Sequence, residues 1–219
     1  MGDRVTVFLI SGKSESGKDT SYELCKNSVG WERVAFADKL KETVADLYNF
    51  SHEQMYGDLK NTPDPRYPNY IDPKYIKKYG IFKTKNPDYQ PYLTPRRVLQ
   101  LFGQQQRELN PNIWADYVFN VRIPELIAKG CRNFVVTDTR FPNEIAVGEA
   151  WASKADYTTE RNLVKLRIER PGVFAKSGKN DISETALDGY LNFDVIAIND
   201  GTLPQFKDKL VNIVNSFLV

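Results

Sequence analysis

The chain has 219 residues, 41% of them hydrophobic and 26% charged, with a formal net charge of +2. That length supports one sizeable α/β domain with a full core, and the near balance of charge supplies no strong field for nucleic acid or an anionic membrane. No apolar run approaches the roughly 18 residues that span a bilayer, no secretory leader is visible at the start, and Cys25 and Cys131, the only cysteines, lack metal-like spacing and fit reduced thiols in a cytoplasm-like compartment.

Residues 5–10, Val-Thr-Val-Phe-Leu-Ile, form a short β-branched apolar run, the mark of a buried strand. Gly12, Gly17 and Lys18 follow at once and fit G-x-x-x-x-G-K, the phosphate-cradling loop. Glycines let such a loop turn its N–H groups inward around a polyphosphate. The helix behind the loop, expected to run to about residue 27, points its positive dipole end at the same phosphates. Lys18 suits neutralisation of the terminal phosphates. The usual pattern places Ser or Thr after that lysine, to meet Mg²⁺, but here Asp19 stands there with Thr20 behind it. Three readings stay open: Asp19 binds the metal directly or through water, Thr20 substitutes, or Asp19 only caps the helix.

A second strand is expected over 33–37, and a helix over 39–48 opened by Asp38, with Leu40, Val44 and Leu47 at helical spacing. Residues 57–95 differ in kind: seven prolines and six tyrosines rule out a long continuous helix there. A loop of that length inside a compact domain is often a lid or binding flap; a tolerated surface insertion is the plainer reading. A helix restarts over 94–103, capped by Thr94 with Pro95 in its first position. Another begins near Pro111, with Ile113, Trp114, Tyr117 and Val118 on its apolar face. Strands are expected over 134–137, 163–168 and 194–198, and a closing amphipathic helix over 203–217. Strands alternating with helices mean a parallel sheet covered on both faces, whose ligands bind at the carboxyl ends of the strands. Lys18, Asp38, Asp138, Arg140 and Asn199 all fall at or just past those ends.

Asp138 ends an apolar strand, as the Mg²⁺-orienting acid of phosphate-loop proteins does; a turn or cap aspartate is the alternative. Arg140 is positioned in sequence to reach a transferring phosphoryl group, which its planar fork matches. Arg96 and Arg97 occupy the first turn of a helix, an anion-friendly place, or else make solvated salt bridges. Arg161, Arg167 and Arg170 around the fourth strand read singly as solvated surface cations. His52 is the sole histidine, so a multi-histidine metal site is excluded.

Ser-Gly-x-x-x-Ser-Gly-Lys-Asp-Thr at 11–20, Ala-Phe-Ala-Asp-Lys-Leu-Lys at 35–41, Thr-Pro-Arg-Arg-Val-Leu-Gln-Leu-Phe-Gly at 94–103, Val-Thr-Asp-Thr-Arg-Phe-Pro-Asn-Glu at 136–144, Asp-Ile-Ser-Glu at 181–184 and Ile-Asn-Asp-Gly-Thr-Leu at 198–203 stand in order along the chain. Together they resemble the bacteriophage deoxynucleoside monophosphate kinases, in the adenylate-kinase-like branch of phosphate-loop kinases. Glycine-lysine-aspartate is normal in that group. The resemblance implies a three-layer α/β/α P-loop fold with a five-stranded parallel sheet, as one domain over 1–219 carrying an insertion at about 57–95. It implies ATP and Mg²⁺ held by Gly12, Ser14, Ser16, Gly17, Lys18, Asp19 and Thr20, with Asp138 also on the metal and Asn199 and Gly201 bordering the donor adenine. It implies Lys18, Arg140 and Asp138 as catalytic residues. Asp38, Lys39, Arg96, Arg97, Asp181 and Glu184 would bind the acceptor monophosphate; the plainer reading of 181–184 is Asp or Ser capping a helix through Thr185 and Leu187. The partners implied are small-molecule nucleotides, with no nucleic acid or membrane, a homodimer admissible, and a cytoplasmic location (a host's, if phage-encoded). Rival expectations are a dephospho-coenzyme A or phosphomevalonate kinase on the same scaffold, a nucleotide-dependent switch or ATPase, and a loop that binds phosphate without turnover.

Overall fold

The computed structural model describes residues 3–68, 92–154, 159–172 and 185–218. Its strands are β1 (Asp3–Ser11), β2 (Glu32–Val34), β3 (Asn133–Thr139), β4 (Thr159–Glu169) and β5 (Val195–Ile198). The helices among these residues are α1 (Lys18–Val29), α2 (Phe36–Tyr48), α3 (His52–Tyr56), α4 (Pro95–Leu109), α5 (Ile113–Tyr117), α6 (Ile123–Ala128), α7 (Pro142–Ala152) and α8 (Leu203–Leu218). All strand pairs are parallel, in the order β2-β3-β1-β4-β5.

β1 is therefore the middle strand, and a middle strand of a parallel sheet is buried on both faces, which is why it reads as an unbroken apolar run. Alternate residues point to opposite faces. Val5, Val7 and Leu9 enter one core with Phe119, Ile123 and Ile145, and Phe8 and Ile10 enter the other with Phe206, Leu210 and Val214. The first core lies under α5, α6 and α7 and the second under α1 and α8, giving three layers.

Two sequence expectations shift. Residues 35–37 leave the sheet: β2 stops at Val34 and α2 begins at Phe36 rather than at residue 39. The reason is distant, because the amides of Phe36 and Ala37 donate to the Asp138 carboxylate at 2.9 and 3.0 Å. The helix expected near Pro111 continues through a π turn, Val118–Arg122, into α6. There the Ile123 N–H reaches back five residues to the Val118 carbonyl. Pro124 follows, and the wider turn accommodates a residue that lacks an N–H and crowds the preceding turn.

The chain divides into two compact units, one made of Met1–Asp38 and Pro111–Val219, the other of Lys39–Asn110. The second is wider than the Pro/Tyr-rich stretch, of which residues 69–91 lie outside the described residues. Within it, Ser51 and Gln54 form a reciprocal capping box at the start of α3. A short 3-10 turn, Asp58–Asn61, follows. Tyr67 packs on Tyr48 and Phe50 and donates its hydroxyl to the Tyr48 carbonyl. Pro68 and Tyr92 form an antiparallel bridge, with the Leu93 N–H on the Tyr67 carbonyl at 2.8 Å. Thr94 caps α4 as expected, accepting from the Arg97 N–H at 3.1 Å, and the helix runs beyond residue 103 to Leu109.

Asp64 is a buried acid of this unit. The Arg66 side chain donates to both its oxygens, the Arg66 backbone N–H adds a bond at 3.0 Å and Gln54 another at 2.9 Å, so the carboxyl sits well below the usual carboxylate range, chiefly through the Arg66 fork. A carboxyl depressed on folding binds fewer protons in the folded chain than in the unfolded one. Its stabilisation is thus complete above about pH 4 and declines as the pH falls below it. Asp64→Asn is expected to lower the Tm by about 5 °C at neutral pH. Thermal circular dichroism scans should show the gap to wild type narrowing as the pH drops from about 4 towards about 2.

Candidate active site

The loop from Gly12 to Gly17 leaves the carboxyl end of β1 and delivers the chain to α1. A Cβ on Gly12 would stand 2.5 Å from both the Ile168 carbonyl oxygen and Ser16 Oγ, so the bend has no space for a side chain. Gly17 has φ of 110°, a conformation that side chains resist, and it precedes α1 without any side-chain cap on that helix. Glu15 is held at φ of 64°, a left-handed conformation that costs a non-glycine residue about 1–2 kcal/mol. Such strain persists where surrounding structure enforces it, typically at ligand-binding loops. Lys18 is 8% exposed and donates its ammonium to the Gly12 and Lys13 carbonyls at 2.6 and 2.7 Å. The loop thus carries a folded-back cation, an uncapped helix start and, among the described residues, a buried Ser16 hydroxyl with no hydrogen-bond partner. These features suit a polyphosphate.

Three residues brace this loop from elsewhere in the first unit. Asn199, 8% exposed, donates its side-chain amide to the Ser16 carbonyl at 2.9 Å. It stands at the predicted strand end, but its side chain grips the phosphate loop. Arg167 is buried, not solvated: it donates to Ser11 Oγ at 2.9 Å and meets Asp188 at 3.4 Å. Asp188 in turn accepts from Lys13. The sequence did hold one signal for Arg167, a charged residue between Leu166 and Ile168 in a strand buried at both. Asp188 carried none.

The end of β3 supplies the second cluster. The β1–β3 register shifts between Leu9 and Ser11, as a bulge does when it re-aims a side chain. Asp138 gives one oxygen to each of the first two amides of α2, a capping contact across a hundred residues of chain. Burial pushes its carboxyl above the usual range, against the pull of those amides and of Arg140, and Asp38 adds to the push. Asp38, in the first turn of α2, accepts from the Ala35 N–H and from Arg33, both at 3.1 Å. Glu144 does the same for α7, accepting from the Arg140 and Phe141 amides at 2.7 and 3.0 Å and so fixing the backbone at Arg140.

A cavity of about 380 Å³ lies beyond β5, lined by Ile198, Asp200, Gly201, Gln205, Phe206 and Lys209. Lys209 bonds Asp200 at 3.0 Å and holds that carboxyl below its usual range. Among the other predicted residues, Ser14 and Thr20 are exposed, and Asp19 lies in the first turn of α1. Arg96 and Arg97 are exposed at the start of α4, and Lys39 meets Glu42 at 3.4 Å; all three belong to the second unit. Asp181 and Glu184 lie outside the described residues.

The sheet order, the glycine-lysine loop after its middle strand and the covering helices define the three-layer α/β/α fold of P-loop kinases. No protein-family model matches the chain. The chain is similar to a protein of Acanthamoeba polyphaga mimivirus named "Putative deoxynucleotide monophosphate kinase", with 27% identity over 224 residues, covering 97% of each. Among solved structures it is similar to a dephospho-CoA kinase from Campylobacter jejuni, at 12% identity and a TM-score of 0.49, over 98% of this chain and 97% of that one. It is also similar to a sugar kinase from Janibacter sp. HTCC2649, at 13% identity and a TM-score of 0.45, over 98% and 94%. Among the described residues no helix is long and apolar enough to cross a membrane.

The Ile168 carbonyl belongs to β4 and cannot withdraw from Gly12 without disturbing the sheet. Gly12→Ala is accordingly expected to weaken ATP binding by at least about tenfold in isothermal titration and to lower the Tm by several degrees.

Proposed function

We propose that this chain transfers the terminal phosphoryl group of ATP to a deoxynucleoside monophosphate, giving ADP and the deoxynucleoside diphosphate. The loop between β1 and α1, with its crowded glycines and folded-back Lys18, carries the reading. The end-to-end similarity to the viral relative supports the acceptor class.

An oxygen of the acceptor phosphate forms a bond to the γ-phosphorus as the bond from that phosphorus to the bridging oxygen of ADP breaks. The acceptor is already anionic, so a general base has little to do, and catalysis is positioning plus neutralisation of charge. The loop amides and the start of α1 hold the β- and γ-phosphates. Lys18 and Arg140 supply positive charge for the transferring group. Asp19 and Thr20 are the oxygen-bearing residues that would hold a hard Mg²⁺ ion. That ion adds charge neutralisation when bound. Asp138 sets the start of α2 and thereby the backbone leading to Asp38. The resemblance of residues 35–41, 94–103 and 181–184 to the kinase motifs is what assigns Asp38 and Lys39 to the acceptor pocket, Arg97, with Arg96, to the acceptor phosphate, and Asp181 and Glu184 to its nucleoside. The cavity beside Gly201 takes the adenine of ATP, and Asn199 serves that nucleotide by bracing the loop under its phosphates.

A coupled ADP-release assay tests the acceptor. ADP should form with one or more of the four deoxynucleoside monophosphates and not with dephospho-coenzyme A or phosphomevalonate; turnover confined to either of the latter two would refute the proposal. Lys18→Ala should lower kcat by at least about a hundredfold through loss of a cation in the transition state, with an unchanged far-ultraviolet circular dichroism spectrum. Near-normal turnover in that variant would remove Lys18 from the mechanism.

A further inference from the structure

We infer that Asp188 is a positioning residue for the phosphate loop, acting through Lys13 and Arg167. The inference rests on the loop being a triphosphate cradle.

Arg167 lies in β4 directly beside Ser11, the last residue of β1. A buried guanidinium is costly unless its donors are met. Arg167 meets Ser11 Oγ at 2.9 Å, Asp188 Oδ1 at 3.4 Å and the face of Phe193, whose ring centre lies 5.7 Å away. The other oxygen of Asp188 accepts from Lys13 Nζ at 2.5 Å. One carboxylate therefore joins two cations. Arg167 holds Ser11 and Asp188 holds Lys13, the residues on either side of Gly12, where the backbone bends with no room to spare. The effect reaches the catalytic lysine, because the Lys13 carbonyl is one of the two oxygens on which Lys18 Nζ rests.

The Asp188 side chain is exposed, and what anchors it is its backbone. Its N–H donates to the Thr185 carbonyl at 2.9 Å, and the adjacent Leu187 is 4% exposed in the core under α5 to α7. A carboxylate next to a phosphate site repels the ligand, so its presence calls for a compensating gain. Fixing the loop before the ligand arrives is such a gain, since a preorganised loop loses less conformational freedom on binding. Two cations to one acid also leave the neighbourhood net positive.

The test is isothermal titration of ATP with Mg²⁺ into the full chain, as wild type, Asp188→Asn, Lys13→Met, Arg167→Lys and the double variant Asp188→Asn/Lys13→Met. Each single variant is expected to raise the Kd for ATP about fivefold, and the double variant little further, because the two groups act as one pair. In steady state the KM for ATP should rise by a similar factor and kcat at saturation change less. A merely structural role would lower the Tm and leave the Kd alone. Wild-type protein that binds no ATP would sink the reading of the loop and this inference with it. Wild-type binding matched or exceeded by Asp188→Asn would overturn the inference alone, and if that variant does not fold, Lys13→Met decides by the same criterion.

Discussion

A backbone that must turn its amides towards a polyphosphate has no room for side chains where it bends. In this chain that constraint is met at Gly12 by a carbonyl of the neighbouring strand, Ile168, and at Gly17 by the side chain of Asn199. The loop is therefore not a free-standing motif. Its shape depends on β4 lying beside β1 and on the chain after β5 returning to it, so the whole right half of the sheet participates in forming one turn. Lys18 completes the arrangement from inside, its ammonium closing the loop through two carbonyls.

The carboxyl ends of β2 and β3 are organised on a shared principle. Each following helix has an acid in its first turn, Asp38 or Glu144, that reaches back to the amide just before the helix. Negative charge is favoured there by the helix dipole and by unsatisfied donors. Asp138 adds a non-local version of the same device, serving a helix from a neighbouring strand. The consequence is a row of acids engaged by backbone amides, with Arg33 and Arg140 among them.

Elements whose cause is local could be read from the amino acids alone. β1 and β3 announce themselves because both faces are buried, and α4 because Thr94 and Pro95 carry its start within themselves. What could not be read was set by partners far away. Phe36 and Ala37 look like strand, yet their amides are claimed by Asp138, a hundred residues on. Asn199, Arg167 and Asp188 acquire their meaning only when the sheet brings them to residues 11–17. The glycines and lysine of the loop were legible because their spacing matches a pattern that suits a phosphate; the braces were not, because many side chains on many strands could serve.

The antiparallel bridge between Pro68 and Tyr92 stands beside the bond from the Leu93 N–H to the Tyr67 carbonyl. Tyr67 in turn packs on Tyr48 and Phe50 and donates its hydroxyl to the Tyr48 carbonyl. The start of α4 is thus tied to the end of α2 through backbone and side chain together, so a substitution that removed the Tyr67 ring would loosen both helix ends at once.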